Sequence, residues 1–177
     1  MRKLENNELG RPSAETFKEI AKIPVVVVLD NIRSCHNTGS VFRTSDALLV
    51  ERIFLCGITS TPPDKEIRKT ALGAENSVAW EYCPDTLEAV STLKAQGYTV
   101  IAVEQVEKSI SLSDYHPSFN SKLALVFGNE VKGVRQEVVD QCDLALEIPQ
   151  FGTKHSFNIS VSVGIVLWDI FNKIRAK

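Results

Sequence analysis

The chain has 177 residues, with 20 Lys plus Arg against 22 Asp plus Glu, a formal charge of −2, and 44% hydrophobic residues. These proportions fit one globular domain and exclude a disordered or fibrous chain, and the net charge speaks against a nucleic-acid partner. No apolar run approaches the ~20 residues of a membrane span, and the opening MRKLENNELGRPSAE lacks the apolar stretch of a signal peptide. The expectation is a single cytoplasmic domain over 1–177, with 1–23 as a short N-terminal helical extension.

In chain order, 13–22 is predicted as that separate helix. Residues 25–29 (VVVVL) read as a strand buried on both faces, and 37–49 as a helix entered through a polar turn. A strand follows at 52–56. Pro62, Pro63 and Asp64 signal the start of a helix over 65–72. Next come a strand at 78–82, a helix at 86–96 capped by Asp85 and stopped by Gly97, and a strand at 98–103. A strand at 123–127 (LALVF), a helix at 134–142, a strand at 144–148 and a long helix at 158–175 complete the chain. That helix carries Ile159, Val163, Val166, Leu167, Ile170 and Ile174 on one side. Alternating strands and helices predict an α/β fold, a mostly parallel sheet with helices on both faces. The cysteines at 35, 56, 83 and 142 show no C-x-x-C and no zinc-site spacing, so they read as buried reduced thiols and no metal is expected.

Ligands of a parallel sheet bind at the carboxyl ends of strands. Three polar segments stand there: DNIRSCHNTGSVFR, GNEVKGV and PQFGTKHSFN. In the first, Asn37 sits where a helix cap belongs and Arg43 nearly two turns further on. Set among Val41, Phe42 and Ala47, Arg43 needs a partner. A phosphate gripped by its planar fork is one, and a surface ion pair with Asp46 is the other. In the second, Gly128 permits close approach of a ligand or a backbone. Glu130 accepts hydrogen bonds or orients Arg43, or merely sits near a helix N-terminus. In the third, Ser156 and Asn158 both occupy capping positions, one more than a cap needs, and His155 is a candidate base or a solvated side chain. No G-x-G-x-x-G, Walker loop, H-E-x-x-H or G-x-S-x-G occurs, which leaves a dinucleotide oxidoreductase, an NTPase or a serine hydrolase unsupported.

Together, in this order and spacing, the segments resemble the three motifs of SpoU-type RNA 2′-O-ribose methyltransferases of the SPOUT superfamily. The first motif matches as Asn37 and Arg43 followed by Thr44. The second matches as Leu125-Val126-Phe127-Gly128-Asn129-Glu130 with Gly133. The third matches as Ile148-Pro149 with Ser156-Phe157-Asn158-Ile159-Ser160. Lys69 to Ala74 also resembles a family segment, and the match spans roughly 24–168. The resemblance implies a C-terminal trefoil knot, S-adenosylmethionine bent within it, a homodimer with catalytic residues meeting across the interface, and transfer of a methyl group to a ribose 2′-oxygen of tRNA or rRNA.

Carried over residue by residue, the catalytic set is Asn37, Arg43, Glu130, Ser156 and Asn158. Gly128, Ile148 and Phe157 would line the cofactor pocket, flanked by Val126, Val103 and Glu104. The family's agent for 2′-OH deprotonation is the first-motif Arg, here Arg43. A guanidinium keeps its proton, so a phosphate grip that orients the 2′-OH is the easier role. The alternative is a non-catalytic RNA- or cofactor-binding member of the same fold, against which the intact catalytic set speaks.

Charge by segment reopens the RNA question. Residues 1–80 carry +1, residues 81–150 carry −6 and residues 151–177 carry +3. The acid excess lies away from the first and third motifs, where Arg33 and Lys154 stand, with Arg11 as a further RNA contact from the N-terminal extension.

Overall fold

A computed structural model describes residues 1–118 and 120–175. Helix α1 (Ala14–Glu19) precedes strand β1 (Ile23–Asp30). Then follow α2 (Cys35–Ala47), β2 (Val50–Cys56), α3 (Lys65–Ala71), β3 (Ala79–Cys83), α4 (Thr86–Ala95), β4 (Tyr98–Val103) and β5 (Ile110–Ser111). The chain continues through β6 (Lys122–Phe127), α5 (Gln136–Gln141), β7 (Leu144–Glu147) and α6 (Ile159–Arg175). One seven-stranded sheet results, in the order β3-β2-β1-β6-β4-β7-β5, with every pairing parallel.

The unbroken apolar strands follow from coverage of both faces. Val25, Val27 and Leu29 point toward α2, α3 and α6, while Val26 and Val28 point toward α4 and α5. Strand β5 is the strand that periodicity misses. It has two residues, too few to show a pattern, and is defined by pairing Ile110 and Ser111 with Leu146 and Glu147 of β7.

Several boundaries move for local reasons. Helix α1 is shorter than 13–22: Ser13 caps it, and the Lys22 ammonium donates to the carbonyls of Phe17 and Ile20 at its end. Phe17 anchors this helix in the core. Helix α2 begins before Asn37. Ser34 is the N-cap, its hydroxyl accepting the Asn37 N–H at 3.2 Å, which leaves the Asn37 carboxamide free for tertiary bonds. Helix α5 begins after 134 because the Val134 N–H donates to Glu104 at 2.9 Å and the Arg135 N–H to Asp30 at 3.0 Å. Helices α2 and α3 touch backbone to backbone at Gly39, where a Cβ would lie 2.2 Å from the Ile67 carbonyl.

Burial keeps Cys56 protonated by raising its thiol pKa, and burial raises Cys142 to about 11, so both are inert packing residues. Among the described residues no helix is long and apolar enough to cross a membrane.

One charged network pins the loops above the sheet. Asp30 is fully buried at the end of β1. It accepts from the Thr86 hydroxyl at 2.6 Å, the Asn31 carboxamide at 2.8 Å and the Arg135 backbone at 3.0 Å. The Arg135 guanidinium bridges Asp30 at 3.4 Å and Asp85 at 2.5 Å, which holds the Asp85 carboxyl below its ordinary pKa. Removing the cation strands a buried carboxylate. Arg135→Met is therefore expected to cost about 3 kcal/mol and lower Tm by roughly 10 °C. Denaturant and thermal melts check this. In a cycle with Asp30→Asn, the double variant should lose less than the sum of the two single variants.

Candidate active site

The carboxyl ends of β4, β6 and β7 lie side by side and open onto a cleft of about 710 Å³. Its walls come from 103–106 after β4, from 127–134 after β6, and from Ile148 and 155–158 after β7. The second and third polar segments of the sequence thus meet at one place. The first joins them through hydrogen bonds.

Glu130 is the junction. Its carboxylate accepts from the backbone N–H of Arg33 at 2.9 Å, from that of Ser34 at 3.0 Å and from the Asn37 carboxamide at 3.0 Å. Asn37 Oδ1 in turn accepts from Asn158 Nδ2 at 3.2 Å. Asn158 Oδ1 accepts from the Ser160 backbone N–H at 2.9 Å and the Ser160 hydroxyl at 2.6 Å, closing the first turn of α6. One side chain from each motif forms the chain Glu130–Asn37–Asn158. Partial burial pushes the Glu130 carboxyl pKa up. The donors from Arg33, Asn37 and Ser34 outweigh that, so the net pKa is lowered.

A depressed carboxyl contributes stability that is present above its unfolded value, about pH 4.3, and is lost as pH falls through the lower folded value. Wild-type stability should therefore fall more steeply below about pH 4.3 than that of Glu130→Gln, narrowing the gap between them. Thermal melts from pH 7 to pH 3 measure it. Parallel curves would show that Glu130 does not hold the motifs together.

Gly128 is required by close approach. A Cβ there would lie 2.0 Å from Val134 N, because Asn129 and Gly133 pair through N–H···O bonds of 3.0 and 2.8 Å and fold the turn back on itself. Asn129 fastens this turn: its amide donates to the Asn31 carbonyl at 2.7 Å and its Oδ1 accepts from Val131 and Lys132 at 2.9 and 3.1 Å. Glu104 accepts from the backbone of Gln105 and Val134, both at 2.9 Å, so this wall carboxylate also braces the turn. Val103, Ile148, Ser156 and the half-exposed Phe157 line the cleft beside Gly128. Gln105 donates to the His155 carbonyl at 2.8 Å and ties the third segment to the first wall.

Three residues depart from the sequence expectation. Val126 does not reach the cleft. Strand alternation turns it to the opposite face, where it is fully buried with Ala124 and Val134. Arg43 is not enclosed by its apolar neighbours and does not pair with Asp46, which instead accepts from the Ser77 hydroxyl at 2.6 Å. Its side chain is exposed, bears no ion pair among the described residues, and lies outside the cleft of its own chain. Nor does Glu130 orient it. Lys154, Arg33 and Arg11 are exposed, with unpaired side chains among the described residues. Arg33 adjoins the site through its backbone bond to Glu130. Sequence reasoning named Asn129 within the second motif but gave it no role, and it missed Gln105 and the Asp30–Arg135 pair. Asp30 alone carried a signal, as a charge ending an apolar strand.

The family model of SpoU rRNA methylases matches residues 24–168. The chain belongs to the SpoU rRNA methylase family. One relative, the 23S rRNA (guanosine-2′-O-)-methyltransferase RlmB of Neisseria meningitidis serogroup B, is 31% identical over 153 residues, 86% of this chain and 60% of the relative. The chain thus spans about three fifths of the length of the curated relatives it matches. Its fold is that of the A. aeolicus TrmH/SpoU tRNA modifying enzyme, with a TM-score of 0.81 at 23% identity over 92% of this chain and 83% of that one. An AdoMet-bound rRNA methyltransferase from Sinorhizobium meliloti superposes with a TM-score of 0.77 at 26% identity, over 87% of this chain and 59% of that one.

Proposed function

We propose that this SpoU-family chain transfers a methyl group from S-adenosylmethionine to a ribose 2′-oxygen of tRNA or rRNA. The observation that carries the proposal is the hydrogen-bonded chain Glu130–Asn37–Asn158 at the rim of the cleft, which draws all three motifs into one site. The cleft fits the cofactor. Its volume is that of a small-molecule site, and Val103, Ile148 and Phe157 offer apolar surface for a purine. Glu104, Glu130 and Glu147 surround it with acid suited to a cation. Bound there, S-adenosylmethionine supplies an electrophilic methyl group. This chain's residues position the nucleophile. Asn37, Asn158 and Ser156 present amide and hydroxyl groups at the rim, and the Arg43 fork is suited to a substrate phosphate.

Arg43 stands away from its own cleft, so the reading includes a homodimer in which Arg43 serves the cleft of the second protomer. The exposed apolar stripe Val161, Ile165 and Trp168 on α6 supports an interface there. The reading also includes the family's trefoil knot. It is supported by β4 lying between β6 and β7, both later in the chain. Function as one domain in the cytoplasm, without metal, completes it. Incubation with methyl-labelled S-adenosylmethionine and bulk cellular RNA should place label on ribose 2′-oxygens. Cofactor binding with no label on any RNA would favour the non-catalytic alternative.

A further inference from the structure

The edge strand β3 carries two aromatic side chains that the fold leaves uncovered. Trp80 is 36% exposed and Tyr82 is 48% exposed. They pair in register with Ile53 and Leu55 of β2, so they share the face of the sheet that α3 covers with Ile67 and Ala71. Two strand rises separate them, about 6.6 Å, room for two bases side by side. The Tyr82 hydroxyl donates to the Gly57 carbonyl at 3.2 Å, which fixes that ring, and the Trp80 N–H has no partner among the described residues.

Helix α3, over the same face of the sheet, carries unpaired cations. Its Glu66 and Thr70 side faces α2: His36 meets Glu66 at 3.0 Å, and the Thr70 hydroxyl donates to the His36 carbonyl at 2.9 Å. Ile67 and Ala71 face the core. Helical spacing puts Arg68 on the remaining flank, away from α2, with Lys65 one turn before it. Both are exposed and without ion pairs among the described residues. Glu75, between α3 and β3, keeps one carboxylate oxygen without a hydrogen-bond partner among the described residues, while the other acids of these elements are engaged elsewhere. Asp64 caps α3, Glu66 binds Lys69 and His36, and Glu81 points to the other face beside Arg52.

We propose that Trp80, Tyr82, Arg68 and Lys65 form a seat for a single-stranded RNA segment, with two bases stacked on the rings and phosphates held by the cations. Stacking on aromatic rings beside a cationic flank is how single strands are held without sequence readout. Only the paired, stacked bases of a duplex would be refused. The seat lies at the opposite sheet edge from β5, clear of the α6 stripe. It rests on RNA being the substrate, and it supplies affinity that the cleft residues alone do not.

The test uses a fluorescein-labelled oligouridylate of about 12 nucleotides. In a Trp168→Phe background, the remaining tryptophan emission, from Trp80, should be quenched by the oligonucleotide. Trp80→Ala and Tyr82→Ala should each weaken binding about tenfold, Trp80→Phe should retain most of it, and Arg68→Ala should flatten the dependence on salt. A duplex of the same length should compete poorly. Unquenched emission, or affinity unchanged in a folded Trp80→Ala, Tyr82→Ala double variant, overturns the seat. So does a change in oligomeric mass with RNA affinity intact, which would mark the edge as a protein contact. The two proposals fail separately. Oligouridylate binding that needs Trp80 in a chain that methylates no RNA keeps the seat and ends the transferase reading. Methyl transfer with RNA affinity indifferent to both rings does the reverse.

Discussion

Replacing Arg43 by Ala should lower methyl transfer to RNA by two to three orders of magnitude, about 3–4 kcal/mol of transition-state stabilisation, with cofactor binding intact. The guanidinium is exposed and unpaired among the described residues, so its removal creates no cavity and breaks no network. A stability effect is therefore not expected, and equal melting curves separate chemistry from folding. Lysine keeps the charge but not the planar fork. Arg43→Lys should fall well below the native chain if the phosphate is gripped through two parallel hydrogen bonds. Near-native activity in that variant would reduce the role of Arg43 to a point charge. A pH–rate profile left unshifted by Arg43→Lys would speak for positioning rather than proton removal.

The second large effect concerns Gly128. The Val134 amide nitrogen stands 2.0 Å from where a Cβ would be, and the Gly133 carbonyl carbon 2.1 Å. No rotamer relieves a clash with backbone. The turn must open, and the pairing of Asn129 with Gly133 and the Val134 bond to Glu104 open with it. Gly128→Val is thus expected to weaken S-adenosylmethionine binding about a hundredfold, measured by calorimetry, because a shift of ~1 Å in a positioning wall is costly. Unchanged affinity would place the cofactor elsewhere. The two variants together test the dimer. In a mixture, an Arg43→Ala protomer supplies an intact cleft and a Gly128→Val protomer supplies the arginine. If the site is shared between protomers, activity should recover to roughly a quarter of native. If each protomer works alone, none returns.

Much of this was legible in order and period. The apolar runs at 25–29 and 123–127 could only be buried strands, and Asp64 and Asp85 announced their helices through local caps that depend on two or three neighbouring residues. The motif residues Asn37, Glu130 and Asn158 could be named from spacing. What joins them could not, because their bonds span 93 and 121 residues. Asn37 shows the limit. By local pattern it reads as a helix cap, yet Ser34 takes that role and frees Asn37 for Glu130. Strand β5 shows it again, since two residues acquire their conformation only from β7.

The sequence by itself determined the α/β class, the parallel sheet and the three segments at its carboxyl edge. These follow from hydrophobic period and short-range capping, which act over a few residues. Only the tertiary structure decided that Gly128 is needed by the turn it closes, that Val126 faces away from the cleft, and that Asp30 and Arg135 hold the loops. The same holds for Arg43, which stands apart from its own site. Each depends on which face a side chain takes and on what distant backbone approaches it. Those facts exist only once the sheet is assembled and packed.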